Sequence, residues 1–184
     1  MGPRSLPAIG LVLVVGCLGG GPMVSSPAAT PDDLRALVEE TFDEFVDAFP
    51  ARRHCIGTVT VAGNRDLSDR GTYDPESRTV TLRIPATASQ LEVSLVHEMA
   101  HHLESACSDH GLIRPAFMTA QGFEPETAWR PEGAAWEETP SEHWASAVVI
   151  HVLGRIDDRA RIVVSARSVE AVEAWATGLT PTAP

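Results

Sequence analysis

The sequence predicts one α+β domain, because helix-like and strand-like hydrophobic patterns occupy separate segments of one short chain. The helical pattern, which repeats about every 3.6 residues, follows residues 34–49 and 89–107, whereas residue-by-residue alternation follows residues 54–62 and 79–84. The chain has 184 residues, 43% of them hydrophobic and 21% charged. That composition is typical of a globular domain and excludes disordered, fibrous and polytopic membrane proteins.

The net charge argues against nucleic acid as a partner. Acidic residues number 25 and basic residues 14, which gives a formal charge of −11 at pH 7. A surface of this sign repels phosphate backbones and anionic lipid headgroups. We therefore expect no nucleic-acid binding.

Residues 1–16 have the layout of an export signal, with a basic start and an apolar run that is shorter than the ~20 residues needed to span a bilayer. The residues before Cys17, Val14-Val15-Gly16, resemble the lipobox of bacterial lipoproteins, in which the cysteine becomes the acylated N-terminus. The alternative is an ordinary secretory signal that is cleaved near Ala28. In either case the expected location is extracytoplasmic, as a cell-surface lipoprotein or a secreted protein, and a lipid on Cys17 would be the only membrane contact.

The composition changes after the signal. Residues 17–30 are rich in Gly, Pro, Ser and Ala, which predicts a flexible tether, and residues 31–184 are expected to form the domain. Besides Cys17 the chain has Cys55 and Cys107. An even number of cysteines in an exported chain favours a disulfide between them over free thiols or metal ligation through sulfur.

The first predicted helix begins after Thr30, a capping residue, with Pro31 at its first position and acidic residues in its first turn. Pro50 ends it. Its outer face is acidic and lacks the basic residues of membrane-surface helices, so we expect the helix to pack on a core. The apolar stripe comprises Leu34, Leu37, Val38, Phe42, Phe45, Val46 and Phe49.

Three strand segments are expected. Residues 54–62 alternate β-branched and other residues before Gly63, which is typical of a strand. Asp74-Pro75-Glu76-Ser77 has the composition of a turn between two paired strands. The outgoing strand, residues 79–84, ends at Pro85.

Ser89 and Glu92 have the spacing of a capping box, which predicts a helix from there to about Cys107. Residues 108–139 contain several Gly and Pro residues that interrupt any period, and we expect an ordered loop there. The aromatic residues of this loop, among them Trp129 and Trp136, either form a small core under the loop or line a pocket. We favour the small core, because long loops need buried apolar surface.

Two more helices complete the prediction. Thr139 and Glu142 again have capping-box spacing and predict a helix that ends near Gly154. Residues 168–177 predict a last short helix before Gly178.

The segment His97-Glu98-Met99-Ala100-His101 carries the chemistry of the chain. Histidines four residues apart lie on one face of a helix, where both imidazoles can bind one metal ion, and the intervening glutamate lies beside that ion. This is the HExxH pattern of zinc metallopeptidases. The apolar residues of the same helix form a separate stripe, so that the histidine face is not the core face: Val93, Val96, Ala100, Leu103 and Cys107.

A catalytic zinc ion usually has three protein ligands, so a third ligand is expected downstream. Glu104 and Cys107 occupy the positions where metzincins have Gly and His, which excludes that pattern. Glu142-His143-Trp144-Ala145 is similar to the Glu-x-x-Ala segment that supplies the third ligand in gluzincins. The residues leave alternatives open: Glu142 could serve only as a helix cap, and the ligand could instead be one of Glu104, Asp109, Glu137 and Glu138.

The chain thus resembles zincin metallopeptidases of the gluzincin type over about residues 31–154. The resemblance implies a small mixed sheet packed against the HExxH helix with flanking helices, one zinc ion per chain held by His97, His101 and Glu142, and Glu98 as general base. It also implies a peptide substrate that pairs with the strand at residues 79–84 as the sheet edge. The alternative function is a surface-tethered domain of the same fold that binds a peptide or wall component without cutting it.

Two other polar residues are candidates for stabilising the transition state. His143 could stabilise a transition state or be a polar residue on a half-exposed face. Tyr73, the only tyrosine, has a hydroxyl suited to an oxyanion, but the sequence does not place it near the metal.

Overall fold

The computed structural model describes residues 21–156 and 161–179, so the predicted export signal and Cys17 lie outside the described residues. Within the described ranges the chain forms six α-helices and a four-stranded mixed sheet, which confirms the predicted α+β class. The helices are α1 (Asp32–Ala48), α2 (Arg53–Ile56), α3 (Ala88–Ala106), α4 (His110–Gln121), α5 (Pro140–Leu153) and α6 (Ala166–Ala176). The strands are β1 (Met23–Ser25), β2 (Thr58–Asn64), β3 (Gly71–Asp74) and β4 (Thr79–Arg83).

Helix α1 follows the predicted apolar stripe and ends where Phe49 and Pro50 begin a short 3-10 turn. The predicted cap is wrong, because no side chain caps the helix; the carbonyl of Thr30 instead accepts a hydrogen bond from Arg35 (3.0 Å). Helix α1 packs against α3 and buries Leu34, Val38, Thr41, Phe42, Phe45 and Val46.

The sheet order is β1-β2-β4-β3, with β1, β2 and β4 mutually parallel and β3 antiparallel to β4. Strand β4 is therefore internal, and the prediction that residues 79–84 form the sheet edge is wrong; the edges are β1 and β3. Strand β1 lies in the segment predicted as a flexible tether. Three residues suffice there, because Val24 pairs in register with Val59 of β2 and packs against the core.

The first predicted strand also begins later than expected. Residues 53–56 form the helical turn α2, and β2 starts only at Thr58, after Gly57 with φ of 62°. The hairpin around Asp74 to Ser77 is confirmed, since β3 and β4 flank it. The core lies between the inner face of the sheet and helices α1 and α3, and the sheet contributes Val59, Val61, Val80 and Leu82.

The prediction of a loop over residues 108–139 is wrong for the 12 residues of helix α4, which continues through Pro115. A proline inside a helix costs about 3 kcal/mol. Burial of the large apolar side chains of α4 gains roughly 1.5–3 kcal/mol each, which outweighs that cost. The side chains concerned are Ile113, Phe117 and Met118.

Helix α3 begins two residues earlier than the Ser89 capping box predicts. Thr87 is the actual cap: its hydroxyl accepts from the Gln90 amide N–H, and the Gln90 side chain accepts from the Thr87 N–H. The predicted disulfide between Cys55 and Cys107 is present and joins α2 to the residue after α3. Among the residues that the structure describes, no helix is both long and apolar enough to cross a bilayer.

Candidate metal centre

His97 and His101 lie one turn apart near the middle of α3, with their ring centroids 5.0 Å apart, on the face that borders a cleft. The opposite face of the helix is packed into the core through Val96, Ala100 and Leu103. This division confirms the prediction that the histidine face is not the core face. Val93 departs from it, because its side chain is only partly buried and lines the cleft.

Helix α5 brings Glu142 to the two histidines. Its Oε2 atom lies 3.0 Å from His97 Nε2 and 3.5 Å from His101 Nε2. Glu142 does not take part in a capping box, since α5 has no side-chain cap and the Thr139 hydroxyl donates to the Ala135 carbonyl instead. The structure therefore places Glu142 where a third ligand would be, across from the histidine pair.

These three donors fit a zinc ion. Two imidazole nitrogens and one carboxylate oxygen are a known catalytic zinc set, and tetrahedral bonds of 2.0–2.1 Å would separate the ligand atoms by roughly 3.3 Å. The observed separations of 3.0 and 3.5 Å bracket that value. Within residues 21–156 and 161–179, His97, His101 and Glu142 are the one group of three or more such side chains whose ligand atoms lie within 4.8 Å of one another.

The charges at the centre favour a bound cation. Burial by itself would lower the pKa of His101, but its hydrogen bonds with Glu104 and Glu142 outweigh burial and raise that pKa to about 10. Burial likewise would raise the pKa of Glu142, yet the bonds with His101 and His97 hold it well below its usual range. The carboxylates thus hold positive charge on the His101 imidazole, and a metal ion that binds there would displace its proton.

Glu98 lies beside the histidines and is 8% exposed. Burial raises the pKa of its carboxyl, and this effect outweighs the lowering by His97 and His101. Strand β3 packs directly on it: a Cβ atom at Gly71 would lie 2.8 Å from Glu98 Cγ and 2.9 Å from Oε1. The absence of a side chain at Gly71 is therefore what leaves room for the Glu98 carboxylate.

Glu104, one of the alternative ligands, contacts the opposite side of the His101 ring. Its Oε1 accepts from His101 Nδ1 (2.8 Å), while its Oε2 accepts from Trp129 Nε1 and from an amino group of Arg130, both at 2.9 Å. The Glu104 side chain is 4% exposed. A carboxylate in this position fixes the ring and the tautomer, leaving His101 Nε2 free to bind a metal.

The other alternative ligands have different partners. Asp109 accepts from Arg52 (2.5 Å), and the Glu137 carboxylate lies 3.7 Å from Arg161. The group that surrounds both histidines contains Glu142 and none of Glu104, Asp109, Glu137 and Glu138.

The cleft has a volume of about 960 Å³ and is lined by β3, α3, α5 and the segment before α5. The two loop tryptophans have separate roles. Trp136 lines the cleft and stacks on His97, with ring centroids 5.8 Å apart. Trp129 is partly buried and packs against the core residues Phe117 and Trp144, as the small-core prediction proposed.

Tyr73 and His143 have mainly structural partners. Tyr73 lines the cleft, but its hydroxyl donates to Nδ1 of the buried His102 (2.8 Å), whose Nε2 donates to the Ile56 carbonyl. His143 is buried rather than half-exposed; its ring nitrogens are bonded to the Gln121 side chain and the Glu137 carbonyl. Neither arrangement supports a role as transition-state electrophile.

Two contributors to the site were missed in the sequence: Gly71, and Glu104 as an orienting group. For Trp136 the structure favours the pocket-wall alternative over the small core. The spacing of Glu104, three residues after His101 on one helix, is a local signal for contact. Nothing near Gly71 or Trp136 in the chain shows that they reach the motif. Comparison of the chain with family models, curated proteins and solved structures finds no match.

Proposed function

We propose that this chain is a zinc-dependent peptidase of the gluzincin type, with a zincin-like fold, in which His97, His101 and Glu142 bind one zinc ion and Glu98 is the general base. The observation that carries the proposal is the position of the Glu142 carboxylate, within hydrogen-bond distance of the histidine pair and next to a buried glutamate. A ligand set with a base beside it is the minimum that metal-assisted hydrolysis requires.

The chemistry that zinc supplies when bound is Lewis acidity, which lowers the pKa of water to about 7 and polarises a carbonyl. Glu98 accepts the proton of the water that attacks the peptide carbonyl carbon and then delivers it to the leaving amine nitrogen. The raised pKa of Glu98 suits the first transfer, because a carboxylate with a raised pKa is a stronger base toward the attacking water. Glu104 holds His101 in one orientation throughout.

An extended peptide is the substrate form that suits the cleft. Strand β3 is a sheet edge, and Gly71 to Tyr73 line the cleft beside Glu98. The unpaired side of such a strand can bind a peptide through backbone hydrogen bonds. The proposed site of peptide pairing is thus β3, in place of the internal strand β4.

We further propose that the protein acts outside the cytoplasm, after export directed by residues 1–16. The Cys55–Cys107 disulfide supports this location, because disulfides persist in oxidising compartments. Fractionation of the source cells, with metabolic labelling by an alkyne fatty acid, tests it. Labelling that is lost in Cys17→Ser indicates a lipoprotein, whereas recovery of the protein in the cytosol would contradict export.

The metal is tested by elemental analysis of the purified protein from Gly21 onward, which retains strand β1. We expect one zinc ion per chain in the wild type, clearly less in Glu142→Ala and none in His97→Ala. Glu138→Ala is the matched control, because it removes a nearby carboxylate that is not part of the ligand group. Folded wild-type protein without zinc would overturn the proposal.

Catalysis is tested with Glu98→Gln, which keeps the shape of the side chain and removes the base. We expect normal zinc content and a loss of peptide hydrolysis by several orders of magnitude. Near-normal turnover in this variant would refute the role of Glu98. A wild-type protein that holds zinc and binds peptides without chelator-sensitive hydrolysis would instead support the alternative function, a binding domain.

A further inference from the structure

The two ends of the cleft differ in chemistry. Helix α5 runs antiparallel to α3: the Ser141 N–H bonds the Trp129 carbonyl beside Glu104, whereas Arg155, which follows α5, donates to the Ser89 hydroxyl at the start of α3. Beside the first half of α3 the lining combines the aliphatic side chains of Val93, Val149 and Ile156 with one acidic and one basic residue, Asp69 and Arg70. Beside its last turn the lining includes two arginines, Arg114 and Arg130, which define what we call the arginine end.

Arg114 is held in place before any ligand binds. Its Nε donates to His110 Nδ1 (3.2 Å), and its guanidinium carbon lies 5.0 Å from the ring centre of Trp129. His110 is fully buried, and burial lowers its pKa to about 4, so that it remains a neutral acceptor at neutral pH. Because Nε and one face of the Arg114 guanidinium already have partners, a ligand in the cleft would meet its terminal amino groups.

The position of Arg130 indicates how far the arginine end lies from the peptide bond that is cut. One of its amino groups donates to Glu104 and lies 3.3 Å from His101 Nδ1, directly behind the ring of a proposed zinc ligand. A peptide strand advances about 3.4 Å per residue. A group bound at the arginine end therefore belongs to a residue one or two positions from the bond that is cut.

The charges leave this end positive. Glu104 and Arg130 compensate each other through their 2.9 Å ion pair, and Arg114 beside them adds a further positive charge. The chain as a whole has a formal charge of −11. Two arginines together on the wall of a cleft are thus a local exception to an acidic protein, and they favour a ligand group of negative charge.

Resting on the proposed peptidase function, we propose that the arginine end binds a carboxylate of the substrate, either an acidic side chain or a chain terminus, one or two residues from the scissile bond. Arginine suits this ligand, because its planar fork can donate two parallel hydrogen bonds to one carboxylate. The other end of the cleft, beside the first half of α3, would accept the residues on the other side of the bond.

The test measures binding separately from cleavage. Zinc-loaded Glu98→Gln protein is titrated, by fluorescence polarisation, into three labelled pools of eight-residue peptides whose other positions are random but exclude Asp and Glu. One pool has a central Glu and an amidated C-terminus, one has Gln and an amidated C-terminus, and one has Gln and a free C-terminus. Wild-type protein is incubated with the same pools, and the cleavage sites are mapped by mass spectrometry.

We expect at least one carboxylate pool to bind about tenfold more tightly than the neutral pool, at the lower end of what hydrogen bonds to charged groups contribute. Preference for the Glu pool identifies a side chain, and preference for the free-terminus pool identifies a chain end. Adding Arg114→Gln to the test protein should abolish the preference, Arg114→Lys should retain part of it, and Arg53→Gln, an exposed arginine on α2, should leave it unchanged. Arg130 is left intact because it also holds Glu104.

Thermal melting of each variant checks that it is folded. Equal binding and equal cleavage of all three pools would overturn the carboxylate subsite and leave the peptidase proposal standing, as would a preference that survives in folded Arg114→Gln. A carboxylate preference in binding, with no cleavage of any pool by the wild type, would support the subsite and overturn the peptidase. Failure to bind or cleave any pool would overturn both.

Discussion

The sharpest prediction concerns Glu104, which contacts His101 and is not one of the proposed metal ligands. Glu104→Gln removes one charge and replaces one carboxylate oxygen by an NH2 group, although both oxygens accept from donors at 2.8–2.9 Å. The amide must therefore turn its NH2 group toward at least one N–H donor. Loss of a carboxylate behind a ligand histidine typically weakens metal binding by about 10–100-fold, which corresponds to roughly 1.4–2.8 kcal/mol at 1.4 kcal/mol per decade.

The measurement is a zinc dissociation constant, obtained by competition of the metal-free domain with a chromophoric chelator at pH 7.5. Glu92→Gln is the control: Glu92 lies on the same helix and pairs with Arg155 near its start, away from the histidines. We expect the control to bind zinc like the wild type. A Glu104→Gln dissociation constant within twofold of the wild type would refute the orienting role, and complete loss of zinc would indicate that Glu104 is itself a ligand.

Three further predictions follow from the packing. Gly71→Ala places a methyl group 2.8 Å from Cγ of the proposed general base, so zinc content should be unchanged while hydrolysis falls about 100-fold, the effect of misplacing a reacting group by ~1 Å. The control is Gly111→Ala, whose new methyl group meets nothing within 4 Å and should leave hydrolysis unchanged; equal activities of the two variants would contradict the steric argument. The Cys55–Cys107 disulfide closes a loop with a sequence separation of 52 residues, so replacing both cysteines by Ala should lower the free energy of unfolding, measured by urea titration, by about 4 kcal/mol. A loss below ~1 kcal/mol would show that the disulfide does not stabilise the fold by reducing the entropy of the unfolded chain. Burial lowers the pKa of His110 from 6.5 to about 4, so between those pH values the unfolded chain binds a proton that the folded chain does not, and the free energy of unfolding should fall by up to about 3 kcal/mol as the pH drops through that range. His110→Phe should reduce the slope of the free energy of unfolding against pH in this range, and an identical slope in the variant would rule out His110 as its cause.

The features that the sequence predicted well are those with local causes. The apolar period of α1 and the turn composition at Asp74 to Ser77 each determine a structure within a few residues, and both are confirmed. The facing of His97 and His101 follows from helix geometry alone. The prediction of Glu142 did not follow from local geometry and depended on the resemblance to gluzincins. In the structure its carboxylate lies next to the two histidines.

The features that the sequence missed depend on distant partners. Strand β1 has three residues, and its pairing with β2 is a matter of backbone hydrogen bonds across the fold rather than of a local pattern. Helix α4 tolerates Pro115 because its apolar side chains are buried, which no local propensity reveals. The packing of Gly71 on Glu98 likewise joins two elements that are far apart along the chain. Tertiary burial overrides propensity in each case.

The pairing of β1 into the sheet limits how far the protein could reach if Cys17 carries a lipid. Cys17 precedes Met23, the first residue of β1, by only six positions, and six extended residues span at most about 20 Å. The domain would then lie against the bilayer rather than on a long stalk. Strand β3, which lines the cleft, is the opposite edge of the sheet, about 14 Å away at ~4.8 Å per strand spacing. The proposed peptidase, if held in this way, would reach only chains close to the membrane surface.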